Sequence, residues 1–149
     1  MDKDVVGKAL GKVSSGLYVV TSKKGESMGG FTASFLVQVG FEPPLIAMAV
    51  KKGRNSYDLI TEAGGFVVNI MTKETMKLVG HFARPRPEGE SEFEGISYEE
   101  KSLGMPVLTE SLAYLECTVY STADAGDHVI ILGEVVNGEL LREGEPATH

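Results

Sequence analysis

The chain has 149 residues, 42% hydrophobic and 23% charged, a balance that excludes a disordered chain and suits one globular domain spanning 1–149. Twenty-one acidic against fourteen basic residues give a formal charge of −7, the reverse of what neutralises the phosphates of a nucleic-acid polymer. A single cysteine, Cys117, excludes an internal disulfide framework and a cysteine-only metal cage.

In chain order, Ala9, Leu10, Val13 and Leu17 suggest a short N-terminal helix. Residues 17–22 are rich in β-branched side chains, and Lys23, Lys24 and Gly25 supply a turn before a second extended run at 27–31, so a hairpin is expected. A further extended run over 33–39 reaches Pro43 and Pro44, which block a helix and force an extended start to 45–50. Asn55 as N-cap and Gly64 and Gly65 as terminators bracket a short helix; a strand is expected over 65–71. Thr72 is placed to cap a second helix ending near Phe82, with Met76, Val79 and Phe82 on its apolar face, followed by a proline-rich, charged loop over 85–94. Alternation over 112–122 marks a half-buried strand with Leu115, Cys117 and Val119 facing inward. After a turn at 123–127 the chain returns over 128–136 as a nearly continuous apolar strand, the pattern of burial on both sides at a barrel or subunit seam. Strands outnumber helices and pair as hairpins. The expected class is mainly β, an antiparallel β-barrel with short helices at its rim. Residues 1–8 lack the apolar run of a signal peptide and the apolar stretches are strand-sized, so a cytoplasmic location without a membrane partner is expected.

Three stretches carry candidate chemistry. Gly29-Gly30-Phe31-Thr32-Ala33-Ser34 combines small residues with hydroxyls and lets a planar ligand approach the backbone, although a glycine bulge has the same composition. Lys51-Lys52-Gly53-Arg54-Asn55-Ser56 sets three cations and a helix N-terminus directly after a strand, which favours an anion such as a phosphate; a solvated surface turn is the alternative. Gly126-Asp127-His128 lies in the last turn, but adjacent side chains of a strand point to opposite faces, which argues against a direct Asp–His pair. No metal site is expected, because His81 has no second histidine three or four residues away. Mid-strand on an apolar face, Cys117 reads as a core residue.

Taken with Glu42-Pro43-Pro44-Leu45, Gly65-Phe66-Val67-Val68-Asn69, His81-Phe82-Ala83 and Leu112-Ala113-Tyr114-Leu115-Glu116-Cys117, these stretches resemble the flavin reductase family over nearly the whole chain. They are similar also to the flavin reductase-like domain of flavodiiron proteins. The resemblance implies an FMN-binding split barrel of antiparallel, Greek-key-like topology, with FMN, or FAD, at a homodimer interface and NADH or NADPH as electron donor. It implies that Thr32, Ala33 and Ser34 line the isoalloxazine and ribityl chain, that Val50, Lys51, Lys52, Arg54, Asn55 and Ser56 surround the phosphate, and that Phe82 and Ala83 close over the flavin. His128 becomes the catalytic candidate on the nicotinamide side, and Asn69 a structural amide. One departure is Phe35, where many members carry a second serine. A pyridoxamine-phosphate-oxidase-like barrel is the alternative branch; the double proline and Gly126-Asp127-His128 favour flavin reductase. Two functions are then expected: an oxidoreductase passing electrons from reduced nicotinamide through flavin to free flavin or a protein acceptor, or an FMN electron-transfer module reduced by a redox protein partner.

Overall fold

A computed structural model describes residues 1–84 and 91–149. The first element, α1 (Lys3–Leu10), begins earlier than the apolar spacing predicts because the Asp2 carboxylate accepts from the backbone N–H groups of Asp4 and Val5 at 3.0 and 3.2 Å. None of its residues is buried. β1 (Tyr18–Lys24) and β2 (Ser27–Ala33) form the expected hairpin, turning at Gly25, whose φ of +60° a side chain would strain. β3 (Leu36–Phe41) and β4 (Pro44–Lys51) form a second hairpin, and α2 (Asn55–Ala63) leads into β5 (Gly65–Ile70). A 3-10 turn at Lys73–Thr75, where Thr72 N–H donates to Thr75 Oγ1 at 2.8 Å, opens α3 (Met76–Ala83). Leu78, Val79 and Phe82 form the buried face of α3, and Met76 is exposed, a correction of the expected stripe. Of the loop expected over 85–94, residues 85–90 lie outside the described residues.

A small antiparallel pair, β6 (Tyr98–Glu100) and β7 (Pro106–Leu108), is absent from the sequence-based reading. β8 (Ala113–Ala125) and β9 (His128–Leu140) are each 13 residues long and turn on Gly126 and Asp127 alone, so the turn expected over 123–127 is mostly strand. The main sheet has the order β2-β1-β5-β8-β9-β4-β3, antiparallel at every pairing. Opposite edges of this order supply one core: Val20, Phe31 and Ala33 from β1 and β2 pack with Ile46, Met48 and Val50 from β4, around Phe66, Val68, Cys117 and Ile131. The sheet therefore curls into a barrel, split between β2 and β3, and α2 crosses its end on the way from β4 to β5. Ile60 plugs that end.

The expected single run over 33–39 breaks at Ser34 and Phe35, because the chain must leave one edge of the sheet and join the other there. Leu36 N–H donates to Ser34 O at 3.1 Å and Ala49 N–H to Phe35 O at 2.9 Å, which fixes the crossing beside β4. Outside the barrel, buried polar side chains hold β6 and β7 in place. The Asn69 amide donates to Val19 O at 2.9 Å and to Thr21 Oγ1 at 3.1 Å, and its oxygen accepts from Leu108 N–H at 2.9 Å; Thr21 Oγ1 donates to Pro106 O at 2.5 Å. Glu116, fully buried, accepts from Ser102 N–H, Leu103 N–H and Asn137 Nδ2 at 3.1, 2.7 and 2.8 Å. Among the described residues no helix is long and apolar enough to cross a membrane.

Candidate functional site

The split in the barrel makes the site. A cleft of about 160 Å³ opens at the end of β2, walled by Thr32, Ala33, Ser34 and Phe35 on one side and by Ala49, Val50 and Lys51 of β4 on the other, and lined also by Arg54 and His128. Two features of the sheet bring these distant stretches together: the crossing at Ser34 and Phe35, and the β4–β9 register that pairs Lys51 with His128. Ser34, Phe35 and Ala49 also wall an adjoining apolar groove of about 770 Å³ that includes Tyr18, Leu36, Met48 and Ile130. Small side chains keep both open. The pair is thus polar and cationic at one end and broad and apolar at the other.

At the cationic end the sequence points to Asn55 as the cap of α2, whereas Arg54 holds the N-cap position and Asn55 is the first helical residue. A guanidinium has no acceptor atom, so no side chain caps the helix, and the leading N–H groups of Asn55 and Ser56 stay without a partner among the described residues. Neither Lys51 nor Arg54 enters an ion pair among the described residues, while Lys52 is paired with Asp124. Two unpaired cations and a helix N-terminus of free donors are a donor set that fits a phosphate monoester.

His128 Nδ1 and Asp127 Oδ1 lie 2.8 Å apart, against the expectation of opposed side chains. The physical reason is that Asp127 belongs to the turn, so the strand alternation begins only with His128. Hydrogen bonding and charge from His128 hold the Asp127 carboxyl below its usual range, so the carboxylate accepts and Nδ1 donates. The Phe35 ring stands against His128 with centroids 5.5 Å apart.

Of the residues named from sequence, the cleft brings together Thr32, Ala33, Ser34, Val50, Lys51, Arg54 and His128. Thr32 is committed in part, because its hydroxyl donates to Val79 O at 2.6 Å and ties β2 to α3. Lys52 and Asn55 line a neighbouring hollow of about 340 Å³ with Tyr57 and Asp58. Ser56 faces inward, between α2 and the β1–β2 hairpin. Phe82 and Ala83 are not brought to the cleft: Phe82 is buried against Phe93, centroids 5.5 Å apart, and Ala83 is exposed at the end of α3. Helical spacing in the sequence reports the core face of α3, and it cannot by itself tell core from ligand. Phe35 and Ala49 line the cleft without having been expected there, and Asp127 pairs with His128 where the sequence argued against it. Phe35 stood in the motif as its one departure, Ala49 had no signal beyond its strand, and Asp127 was misjudged by applying strand alternation to a turn. Cys117 is fully buried, and desolvation, with the Glu116 carboxylate second, pushes its thiol up to about 12, which leaves it protonated and inert.

Residues 10–149 match the family model described as "Flavin reductase like domain". The chain belongs to the flavin reductase-like family. Among its relatives, a "Diflavin flavoprotein A 1" of Synechocystis sp. is 39% identical over 100% of this chain and 26% of its own length, and the "High molecular weight rubredoxin" of Moorella thermoacetica is 35% identical over 95% of this chain and 63% of its own. The chain thus spans about a quarter of the first relative and under two thirds of the second. Among solved structures, an NADH:FAD oxidoreductase of Streptomyces globisporus superposes with a TM-score of 0.90 at 28% identity, over 99% of this chain and 87% of that one. That enzyme has also been solved in complex with NAD and FAD fragments. The flavin reductase-like fold of these neighbours is the split barrel described above.

Proposed function

We propose that this flavin reductase-like chain is an oxidoreductase domain that binds FMN in the seam cleft and takes electrons from a reduced nicotinamide, delivering them to free flavin or a protein acceptor. The observation that carries the reading is that Lys51 and Arg54, the residue at the uncapped N-cap position of α2, line a cleft that shares Ser34, Phe35 and Ala49 with a broad apolar groove. The cations and free N–H groups hold the phosphate, as small residues at Ala33, Ser34 and Ala49 admit the flat part of the ligand. Bound flavin supplies the hydride and electron chemistry, and the protein orients it and excludes water. His128 faces the donor side, where placement of the nicotinamide decides the rate. The solved NADH:FAD oxidoreductase supports a nicotinamide donor. The names of the two relatives favour a second reading, an FMN electron-transfer module reduced by a redox protein in the cytoplasm without nicotinamide activity.

The test is the absorption spectrum of the purified chain with FMN before and after anaerobic NADH. Flavin bound and bleached by NADH supports the oxidoreductase. Flavin bound and left oxidised supports the electron-transfer module, and a chain that binds no flavin defeats both.

A further inference from the structure

The pairing at the last turn assigns a role that neither the fold nor the family match supplies. We propose that Asp127 is a positioning residue, which fixes the ring orientation and tautomer of His128 so that Nδ1 carries the proton and Nε2 is an acceptor. The functional consequence rests on the reading of the cleft given above; the tautomer does not.

Asp127 is held at both of its ends. Its carbonyl accepts from Lys52 N–H at 2.9 Å, so the residue is fastened to the turn that follows β4, the same turn that presents Lys51 and Arg54. Its carboxylate accepts from His128 Nδ1 at 2.8 Å. The Lys52–Asp124 ion pair fastens the other side of the same hairpin tip. The hairpin tip and the cationic turn are therefore joined by a backbone hydrogen bond and an ion pair, with His128 directly across from Lys51 in the register. The ring itself is confined on a second side by Phe35 at 5.5 Å. His128 is 24% exposed and Asp127 84%, so the imidazole is turned into the protein and the carboxylate stands outside it as a support.

The chemistry follows from the inventory of the imidazole ring. A neutral histidine has one donor and one acceptor nitrogen, and a carboxylate on Nδ1 assigns the donor there. Among the described residues Nε2 has no hydrogen-bond partner. A lone pair on a ring that lines the cleft suits a ligand N–H, and the carboxamide N–H of a nicotinamide is such a donor. Without Asp127 the ring is free to carry its proton on Nε2, and the wall then presents a donor to a donor.

The experiment uses the full chain labelled with ¹⁵N-histidine, observed by long-range ¹H–¹⁵N correlation at about pH 9, above the ordinary histidine range. His128→Ala identifies the His128 signals among those of the three histidines. The wild type is expected to show the Nδ1–H form, Asp127→Ala to lose it, and Asp127→Asn to keep it, because the amide oxygen accepts the same bond. With FMN bound, Asp127→Ala is expected to slow bleaching by NADH about two- to fivefold, the scale of an exposed pair, with FMN affinity unchanged and Asp127→Asn restoring the rate. An Nε2–H form in the wild type, an unchanged tautomer in Asp127→Ala, or an altered tautomer with unchanged bleaching overturns the proposal. A wild-type protein that binds FMN but is not bleached defeats the nicotinamide reading, and the tautomer comparison alone then decides the role of Asp127.

Discussion

Arg54 shows how a single side chain can act by what it lacks. As the N-cap residue of α2 it offers no acceptor, so the helix start remains available to a ligand, and the guanidinium adds its own charge to that start. Arg54→Ala is expected to weaken FMN binding by about 1.5–3 kcal/mol, roughly 10- to 150-fold, and to leave riboflavin binding unchanged; fluorescence titration of both ligands separates the two cases. Glu116 does the opposite work, as a buried carboxylate whose partners are two backbone N–H groups and an amide. Glu116→Ala removes the shared acceptor of three part-buried donors and is expected to cost about 1–3 kcal/mol, read as a lower urea midpoint, with Glu116→Gln recovering part of the loss. Beside it, Cys117 has a thiol raised from 9.0 to about 12 by burial. A raised folded value stabilises the native state fully below the unfolded value, and that contribution is lost as pH climbs from 9.0 towards 12. The wild type should therefore lose stability relative to Cys117→Ala across that window by about 1.4 kcal/mol per pH unit, measured by urea unfolding at stepped pH. At pH 8 the native thiol should resist alkylation that proceeds once the chain is unfolded.

Among the elements, β9 is the strand on which barrel and site both depend, because it joins β8 to β4 and starts at His128. Its composition reads as continuously apolar, yet only Ile131 and Gly133 are buried, with Val129, Ile130 and Leu132 half-buried on either side. Gly133 is there for space: a Cβ would stand 2.5 Å from Phe66 Cζ and 3.0 Å from Cys117 Cβ. Gly133→Ala is expected to destabilise the barrel by about 1–3 kcal/mol through overpacking, seen as a lower urea midpoint at an unchanged slope. Legibility differed between elements for physical reasons. Hairpins carried by β-branched runs with glycine turns were plain, as were α2 and β5, whose stop and start share one glycine pair. β6 and β7 were not, since each is three residues long and held by Thr21, Asn69 and Glu116 from other strands, partners that local pattern cannot contain.

At the scale of the molecule, a contiguous run of exposed apolar side chains lies on β3 and the crossing before it. Phe35 and Phe41 are 59% and 90% exposed, Val37 and Val39 more than half, and among the described residues the outer edge of β3 has no strand beside it. Such an edge is a liability unless something covers it, and a second copy would cover it while enclosing the apolar groove beside the cleft. The homodimer that the family resemblance implies would bury β3. Sedimentation at micromolar concentration with FMN is expected to give about twice 16.0 kDa, and Phe41→Lys to shift it towards the monomer with the fold intact by circular dichroism. A monomer with full flavin occupancy would refute this.

Sequence by itself determined the class of the fold and the identity of the chemistry-bearing stretches, because strand alternation, turn glycines, prolines and clustered charge are local properties that survive in a one-dimensional pattern. Tertiary structure alone decided which of their side chains meet. The break at Ser34 and Phe35 exists because the chain must change edges of a curled sheet, and Lys51 faces His128 only through the β4–β9 register. Phe82 went to the core because α3 packs that face against β1 and β2, and Asp127 reached His128 because a two-residue turn suspends the alternation that a strand imposes. Each of these outcomes depends on a partner distant in the chain or on a backbone direction set by the curled sheet, neither of which residue order expresses.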